Sequence, residues 1–230
     1  MDIDALCRTI RDMLSAEVCV SAGRTLSILL TASEQASLGR VDSRRLLEFK
    51  SGRAYAKRAL QMLGVDDIDL PIGSGGSPVW PSGFVGSITH VRCTDGDMYV
   101  AATAARLQEI SAIGIDFEMA DSLPPDVWPH VMSTGELERL FSLPERARSI
   151  EAHYIWCAKE AIAKILGGPF DPCAIEVERD RENGHFIGSF TSPARRDVLA
   201  GLRGRTACFG DLIIATAVLT NSSGRLRAAH

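Results

Sequence analysis

The chain has 230 residues, of which 46% are hydrophobic and 23% charged, and its formal net charge at pH 7 is −4. No stretch approaches the roughly 20 apolar residues of a membrane span, and the net negative charge disfavours a general nucleic-acid surface. The six cysteines form no Cys-x-x-Cys pair, and the acidic N-terminus lacks the features of a secretory signal. We therefore predict a cytoplasmic protein with reduced thiols, no membrane span and no nucleic-acid partner.

Apolar residues in the first half recur at helical spacing in two stretches and form short strand-like runs elsewhere. Glycines at positions 39 and 52 are potential breaks in the second helical stretch, and the glycine at position 64 is a good stop signal. The predicted elements are a helix over residues 2–16, strands at 18–20 and 26–30, a helical region from 33 to about 63, and strands at 98–104 and 113–118.

The second helical region is basic although the chain as a whole is acidic. A solvated helix face accounts for such a run as well as an anion site does, and both interpretations stay open. The loop at residues 73–83 is rich in Gly, Ser and Pro, and it either simply connects two elements or brings backbone N–H groups close to a phosphate. Possible hydrogen-bonding side chains follow it at Ser87, Thr89 and His90. The basic side chains are Arg44, Arg45, Lys50, Arg53, Lys57 and Arg58.

The second half begins after the proline-containing segment at residues 121–126, which is the best candidate boundary. We accordingly predict an N-terminal subdomain of residues 1–120 and a C-terminal subdomain of residues 121–230, each a helix-then-strand arrangement of an α+β fold. The Asn183-Gly184 pair is a hairpin turn signal. The predicted elements of this half are a helix at 133–141, a long helix at 147–166, and strands at 174–179, 185–190 and 207–219.

Three carboxylates are expected to meet between the halves. Alternation in the strand at 113–118 places Asp116 and Glu118 on one face. On the long helix, Trp156, Glu160 and Lys164 are four residues apart and share one stripe. Oxygen ligands from a strand and a helix suit a hard cation such as Mg²⁺, whereas the alternative is an ordinary ion-paired surface.

Five motifs in a fixed order carry a resemblance to a known family. They occupy residues 53–60, 78–81, 86–90, 114–118 and 156–164, and the most specific is Gly-Ile-Asp-x-Glu followed by Trp-x-x-Lys-Glu-Ala-x-x-Lys. In this order they resemble the Sfp-type 4′-phosphopantetheinyl transferases, and most closely the EntD-like branch of siderophore synthesis. The resemblance implies two similar α/β subdomains related by a pseudo-twofold axis, with the active site in the cleft between them.

The resemblance also implies an activity. Such enzymes move 4′-phosphopantetheine from coenzyme A to a serine of an apo acyl or peptidyl carrier protein and release adenosine 3′,5′-bisphosphate. The metal, Mg²⁺ or alternatively Mn²⁺, would be held by Asp116, Glu118 and Glu160. The implied catalytic residues are Glu160, as general base, with Asp116, Lys164 and His90.

The implied coenzyme A contacts come from both halves. The resemblance assigns the 3′-phosphate and adenine end to Arg45 and Arg53, and further phosphate contacts to Thr89 and His90. Lys164, and with it Lys159, is expected to neutralise the pyrophosphate. One departure is Gly75, where related branches carry a basic residue; Arg44 or Lys57 are candidates to compensate. The full set of predicted contacts is Arg45, Arg53, Gly75, Gly76, Pro78, Thr89, His90, Lys159 and Lys164.

The carrier is expected to meet residues 133–148, where Leu137, Leu140 and Phe141 either contact it or simply pack in the core. Two other functions stay open: a metal-dependent hydrolase of nucleotide pyrophosphates, which the same carboxylates would suit, and a non-catalytic module that binds coenzyme A or a carrier protein. We predict a monomer, because the two halves already form the cleft. The carrier and the pathway it serves are not determined by the sequence.

Overall fold

A computed structural model describes residues 2–73, 75–93 and 96–220. Its helices are α1 (Ile3–Asp12), α2 (Ala32–Leu38), α3 (Ser43–Gln61), α4 (Trp128–Val131), α5 (Thr134–Phe141) and α6 (Glu145–Leu166). Its strands are β1 (Cys19–Arg24), β2 (Phe84–Arg92), β3 (Met98–Arg106), β4 (Ile110–Met119), β5 (Ile175–Arg179), β6 (His185–Phe190), β7 (Leu202–Phe209) and β8 (Leu212–Thr220). Within the described ranges, no helix combines the length and apolar character needed to cross a bilayer.

The strands form two antiparallel sheets, one of three strands in the order β1-β3-β2 and one of five in the order β4-β8-β7-β6-β5. Strands β2 and β4 join the two sheets through side chains. The backbone N–H of Ile115 donates to Ser87 Oγ at 3.1 Å, and that of Phe117 donates to Thr89 Oγ1 at 3.1 Å. The β2 hydroxyls thus replace backbone carbonyls as acceptors, which satisfies buried N–H groups of β4 at the junction.

A buried carboxylate organises the helices of the first half. Thr31 and Glu34 form a capping box at the start of α2. Glu34, which is fully buried, also bonds Lys57 Nζ of α3 at 2.9 Å and accepts from the backbone N–H of Leu70 at 3.1 Å. One side chain therefore ties together two helices and the segment that follows them.

The second half repeats this arrangement. Ser133 and Glu136 form the capping box of α5, and the fully buried Glu136 bonds Lys159 Nζ of α6 at 2.6 Å and accepts from the backbone N–H of Val177 at 2.7 Å. In both halves the lysine lies 23 residues after the glutamate. The shared arrangement confirms the predicted α+β fold with a pair of similar subdomains.

The predicted subdomain boundary falls beside a strand that links the halves. Strand β4, which the prediction places in the N-terminal subdomain, pairs with β8 along most of its length. The sheet of the second half therefore includes a strand from the first, and its core lies under α6. The division at residues 120 and 121 stays a prediction.

Several element boundaries differ from expectation. The helical region from 33 to 63 divides at Gly39, whose φ of +68° is incompatible with a continuing helix, whereas Gly52 lies inside α3. Residues 26–30 form no strand. The predicted strand at 207–219 covers the end of β7 and nearly all of β8, which are separated by a turn with Gly210 at φ +63°. The hairpin at Asn183-Gly184 is confirmed.

Candidate active site between the two halves

Strand β4 and helix α6 approach each other unusually closely at the centre of the molecule. A Cβ atom on Gly114 would lie 1.9 Å from the carbonyl oxygen of Ala161, so only glycine fits there. This contact brings the face of β4 that carries Asp116 and Glu118 next to the stripe of α6 that carries Glu160 and Lys164. The glycine of the Gly-Ile-Asp motif is therefore a packing requirement of the site.

Asp116 lies at the centre of the group and is only 6% exposed. Its Oδ1 accepts hydrogen bonds from Lys164 Nζ at 2.7 Å and from Thr89 Oγ1 at 3.2 Å. Its Oδ2 is buried and has no hydrogen-bond partner among the residues that the structure describes. A buried carboxylate oxygen without a partner is costly, which makes this atom a ready ligand for a cation.

Glu118 is held by two donors. Its Oε1 accepts from the indole Nε1 of Trp156 at 2.9 Å, and its Oε2 accepts from Ser122 Oγ at 3.1 Å. Burial, and next the negative charge of Asp116, raise the pKa of Glu118 to about 7. Trp156 thus has a polar role in orienting this carboxylate, besides packing against the core.

Glu160 completes the acidic group from the helix side. Its pKa is raised by burial and then by the charge of Asp116, against the opposing effect of Lys164. As they stand, no three His, Cys, Asp or Glu side chains in the described parts of the chain are arranged to hold a metal. Two observations nevertheless fit a hard cation here: the unpartnered Oδ2 of Asp116, and the mutual repulsion of the three carboxylates. The three-ligand assignment stays a prediction.

The two lysines of the helix motif lie on different sides of α6. Lys164 Nζ donates to the carbonyl of Ile115 and to Asp116, both at 2.7 Å, and stays partly exposed at the cleft. Lys159 is fully buried, and its three donors go to Glu136, to the carbonyl of Val131 at 3.0 Å and to that of Pro172 at 2.7 Å. All of these partners lie away from Asp116 and Lys164, so the structure brings Lys159 into a buried ion pair, and its contact with a pyrophosphate stays an untested prediction.

Strand β2 contributes to the site from both of its faces. Thr89 points towards β4, where its hydroxyl bonds Asp116, while His90 points towards α3 and has its Nε2 3.6 Å from Glu48 Oε2. Burial lowers the pKa of His90 below its usual value, with Glu48 opposing this shift. At neutral pH the side chain of His90 is therefore mainly uncharged, and it serves as a hydrogen-bonding group.

The two predicted arginines of α3 differ in environment. Arg45 is about half exposed, near Glu48. Arg53 is buried, stacks 4.1 Å above the ring of Phe49 and donates from Nε to the carbonyl of Leu70 at 2.6 Å, and burial lowers its pKa to about 10. Arg53 thus anchors α3 to the segment before the loop, and its contact with coenzyme A stays a prediction.

The loop at residues 73–83, of which Ser74 lies outside the described residues, forms one wall of a cavity of about 210 Å³ between the halves. Pro78 and Trp80 line it on one side and Lys164 and Gly167 on the other. A Cβ on Gly75 would lie 2.6 Å from the carbonyl oxygen of Gly167. The loop backbone thus touches the end of α6, and a side chain at position 75 would push the two apart.

Gly76, in the same loop, has a φ of +82°, a backbone conformation that favours glycine. Its contact with coenzyme A stays a prediction. Lys57, one candidate to replace the missing charge at position 75, is instead paired with Glu34. Sequence reasoning named Ser87 only as a possible hydrogen-bonding side chain, and it missed Glu48 and Arg92. Glu48 and Arg92 lie in none of the sequence motifs, so no local signal points to them.

Comparisons with known proteins cover most of the chain. The model of the 4′-phosphopantetheinyl transferase N-terminal domain matches residues 33–104, and that of the 4′-phosphopantetheinyl transferase superfamily matches residues 112–217. The 4′-phosphopantetheinyl transferase Svp of Streptomyces mobaraensis is 33% identical, over 83% of this chain and 78% of the relative. Npt of Nocardia iowensis is 33% identical over 71% and 75%, and PptT of Mycobacterium tuberculosis 32% over 79% and 82%, and both carry the same activity name.

Proposed function

The chain belongs to the 4′-phosphopantetheinyl transferase superfamily, and from this premise we propose how it transfers 4′-phosphopantetheine from coenzyme A to a serine of a carrier protein. The observation that carries the proposal is the group of the buried Asp116 and the partly buried Glu118 and Glu160. They lie beside Lys164, which also lines the cavity between the halves. Three repelling carboxylates and a lysine suit a pyrophosphate bound together with a divalent cation.

Each residue has a distinct task. Lys164 uses two of its three donors on β4, and the third is directed to a phosphoryl oxygen of the substrate. Glu160 lies beside Asp116 and Lys164, where it is placed to take the proton of the attacking serine hydroxyl. Thr89 keeps Asp116 oriented through its hydroxyl.

Asp116, Glu118 and Glu160 would hold Mg²⁺, which would supply neutralisation of the charge on the phosphoryl oxygens. Mn²⁺ accepts the same oxygen ligands. The second product of this reaction is adenosine 3′,5′-bisphosphate. We further propose that the protein belongs to the EntD-like branch of siderophore synthesis, that it is cytoplasmic and that it is a monomer. Light scattering of the purified protein tests the monomeric state.

The decisive test is a mass-shift assay. Purified protein is incubated with coenzyme A, Mg²⁺ and a panel of apo carriers from siderophore, peptide, polyketide and fatty-acid pathways. We expect at least one carrier to gain the mass of one phosphopantetheine group. If no carrier gains mass but coenzyme A is hydrolysed, the protein is a hydrolase; binding without turnover would make it a binding module.

Phe141 is the most exposed of the three apolar side chains expected at the carrier contact. Leu140 is buried and Leu137 packs against the core, whereas Phe141 is 54% exposed at the end of α5, with Arg148 stacked 5.5 Å from its ring. We propose that Phe141 contacts the carrier. Exposed aromatics at the centre of an interface contribute strongly to affinity.

We expect Phe141→Ala to raise the KM for the carrier about tenfold, because the aromatic contact that the carrier would bury is lost. The KM for coenzyme A should stay the same. Met62→Ala, at a residue of similar exposure in the first half, serves as the control and leaves both constants unchanged. Steady-state kinetics with each substrate varied in turn measure the effect. An unchanged carrier KM in Phe141→Ala would remove Phe141 from the interface.

A further inference from the structure

The start of α3 and the end of β2 bring four basic or ionisable side chains around a single carboxylate. Glu48 lies 3.2 Å from Arg44 Nε, 3.7 Å from Arg45 Nη1, 3.6 Å from His90 Nε2 and 3.7 Å from Arg92 Nη2. We call these five residues the Glu48 cluster. Two of them, Glu48 and Arg92, belong to none of the motifs and to none of the predicted site residues.

Stability does not account for the Glu48 cluster. Three guanidinium groups face one carboxylate, so within the cluster two positive charges are not balanced. The arginine side chains are 36–70% exposed, and exposed ion pairs contribute little to folding. Glu48, by contrast, is only 12% exposed, so it is fixed in place while the arginines around it remain accessible. Such an excess of accessible guanidinium groups is suited to a phosphate.

The Glu48 cluster is continuous with the carboxylate site through β2. Side chains alternate along a strand, so Thr89 faces Asp116 while His90 and Arg92 share the opposite face, towards α3. The charges of both Arg45 and Lys164 act on His90, so His90 lies between the Glu48 cluster and the cleft lysine. A substrate that places its pyrophosphate at Asp116 and Lys164 could place a separate phosphate group against the face of β2 that carries His90 and Arg92.

Resting on the proposed function, we propose that Arg92 binds the 3′-phosphate of coenzyme A together with Arg45 and His90, and that Glu48 is a positioning residue. Glu48 holds the guanidinium groups of Arg45 and Arg92 close together before the substrate arrives, against their mutual repulsion. The phosphate then takes over as the group that balances them. Arg92 supplies a positive charge in a chain whose loop at residues 73–83 has glycine at position 75.

The test compares coenzyme A with 3′-dephospho-coenzyme A, which lacks only the 3′-phosphate. We expect Arg92→Ala to weaken binding of coenzyme A about ten- to a hundredfold, as for loss of a charge-assisted hydrogen bond. Binding of the dephospho form should change less than twofold, because the lost partner is absent from it. Isothermal titration measures both affinities, and KM and kcat are measured alongside, with kcat expected to stay unchanged.

The control is Arg8→Ala, which removes another exposed, ion-paired arginine far along the chain on α1. Equal weakening for both ligands, or none for either, would overturn the assignment of Arg92. Because titration needs no turnover, this result is independent of whether any carrier is modified. Suppose that no carrier gains mass, while Arg92→Ala weakens binding of coenzyme A and leaves binding of the dephospho form unchanged. That result would count against the proposed function alone.

Glu48 is tested by the charge-removing variant Glu48→Gln. We expect a several-fold weaker affinity for coenzyme A with unchanged kcat. Added to Arg92→Ala, Glu48→Gln should weaken binding by less than it does alone, because part of its effect passes through Arg92. A purely structural role would give additive effects and a lower melting temperature. Tighter binding in Glu48→Gln would show that the carboxylate only repels the phosphate and would overturn its positioning role.

Discussion

Asp116→Asn is expected to lower kcat by about a thousandfold or more, since a metal that neutralises phosphoryl charge is worth several kcal/mol. Asparagine keeps the shape of the side chain and an oxygen that can accept from Lys164 and Thr89, so the local packing is preserved. What is lost is the negative charge and the unpartnered Oδ2. Kinetics with coenzyme A and a carrier give the change in kcat.

The affinity of the protein for Mn²⁺, measured without turnover, separates metal binding from the other roles of Asp116. Titration of the protein with Mn²⁺, followed by calorimetry, should show binding in the wild type and a large loss of affinity in Asp116→Asn. The melting temperature should not fall, because removing one of three repelling carboxylates relieves their repulsion. Asp121→Asn, at an exposed acid just beyond β4, is the control. Wild-type kcat or wild-type Mn²⁺ affinity in Asp116→Asn would disprove the metal assignment.

Lys159→Met is expected to destabilise the protein by about 3–5 kcal/mol, the usual cost of removing one partner of a buried ion pair. The loss leaves the carboxylate of Glu136 buried, with only the backbone donors of Ser133 and Val177 to satisfy it. The carbonyl oxygens of Val131 and Pro172 lose their donor as well. Chemical denaturation monitored by circular dichroism measures the free energy of unfolding. The turnover of the folded fraction should be unchanged, because Lys159 lies outside the cleft.

Two further variants make this prediction specific. Adding Glu136→Gln to Lys159→Met should recover much of the lost stability, since the unpaired charge is then removed. Lys57→Met, the equivalent change in the first half, should cost less, because Lys57 is 17% exposed and water can partly replace it. Wild-type stability combined with lost turnover in Lys159→Met would return Lys159 to the catalytic site and contradict the structure.

The two lysines of α6 show that a sequence motif does not predict which side of the helix faces the cleft. Lys159 and Lys164 belong to the same motif, and both are expected to meet the pyrophosphate. Successive residues on a helix are rotated by about 100°, so Lys159 turns towards α5 while Glu160 and Lys164 turn towards β4. Which face of α6 meets the cleft depends on the elements packed around it, and those come from distant parts of the chain.

Local sequence patterns were sufficient for most elements and for the acidic group. The alternation in β4 predicts that Asp116 and Glu118 share a face, and the Asn183-Gly184 turn predicts a hairpin, because both depend on backbone geometry within a few residues. The strand expected at residues 26–30 did not form, since a strand requires a partner and none pairs with it in the described structure. Propensity alone cannot supply that partner.

The sequence by itself determined the family resemblance, the α+β class and the three carboxylates, because each is carried by residue types at short, regular spacings. Tertiary structure alone decided three things: that Gly114 lets β4 touch α6, that Lys159 pairs with a buried glutamate as Lys57 does in the first half, and that Glu48 contacts both Arg92 and the arginines of α3. Each of these depends on contacts between residues more than 20 positions apart, which no local pattern encodes.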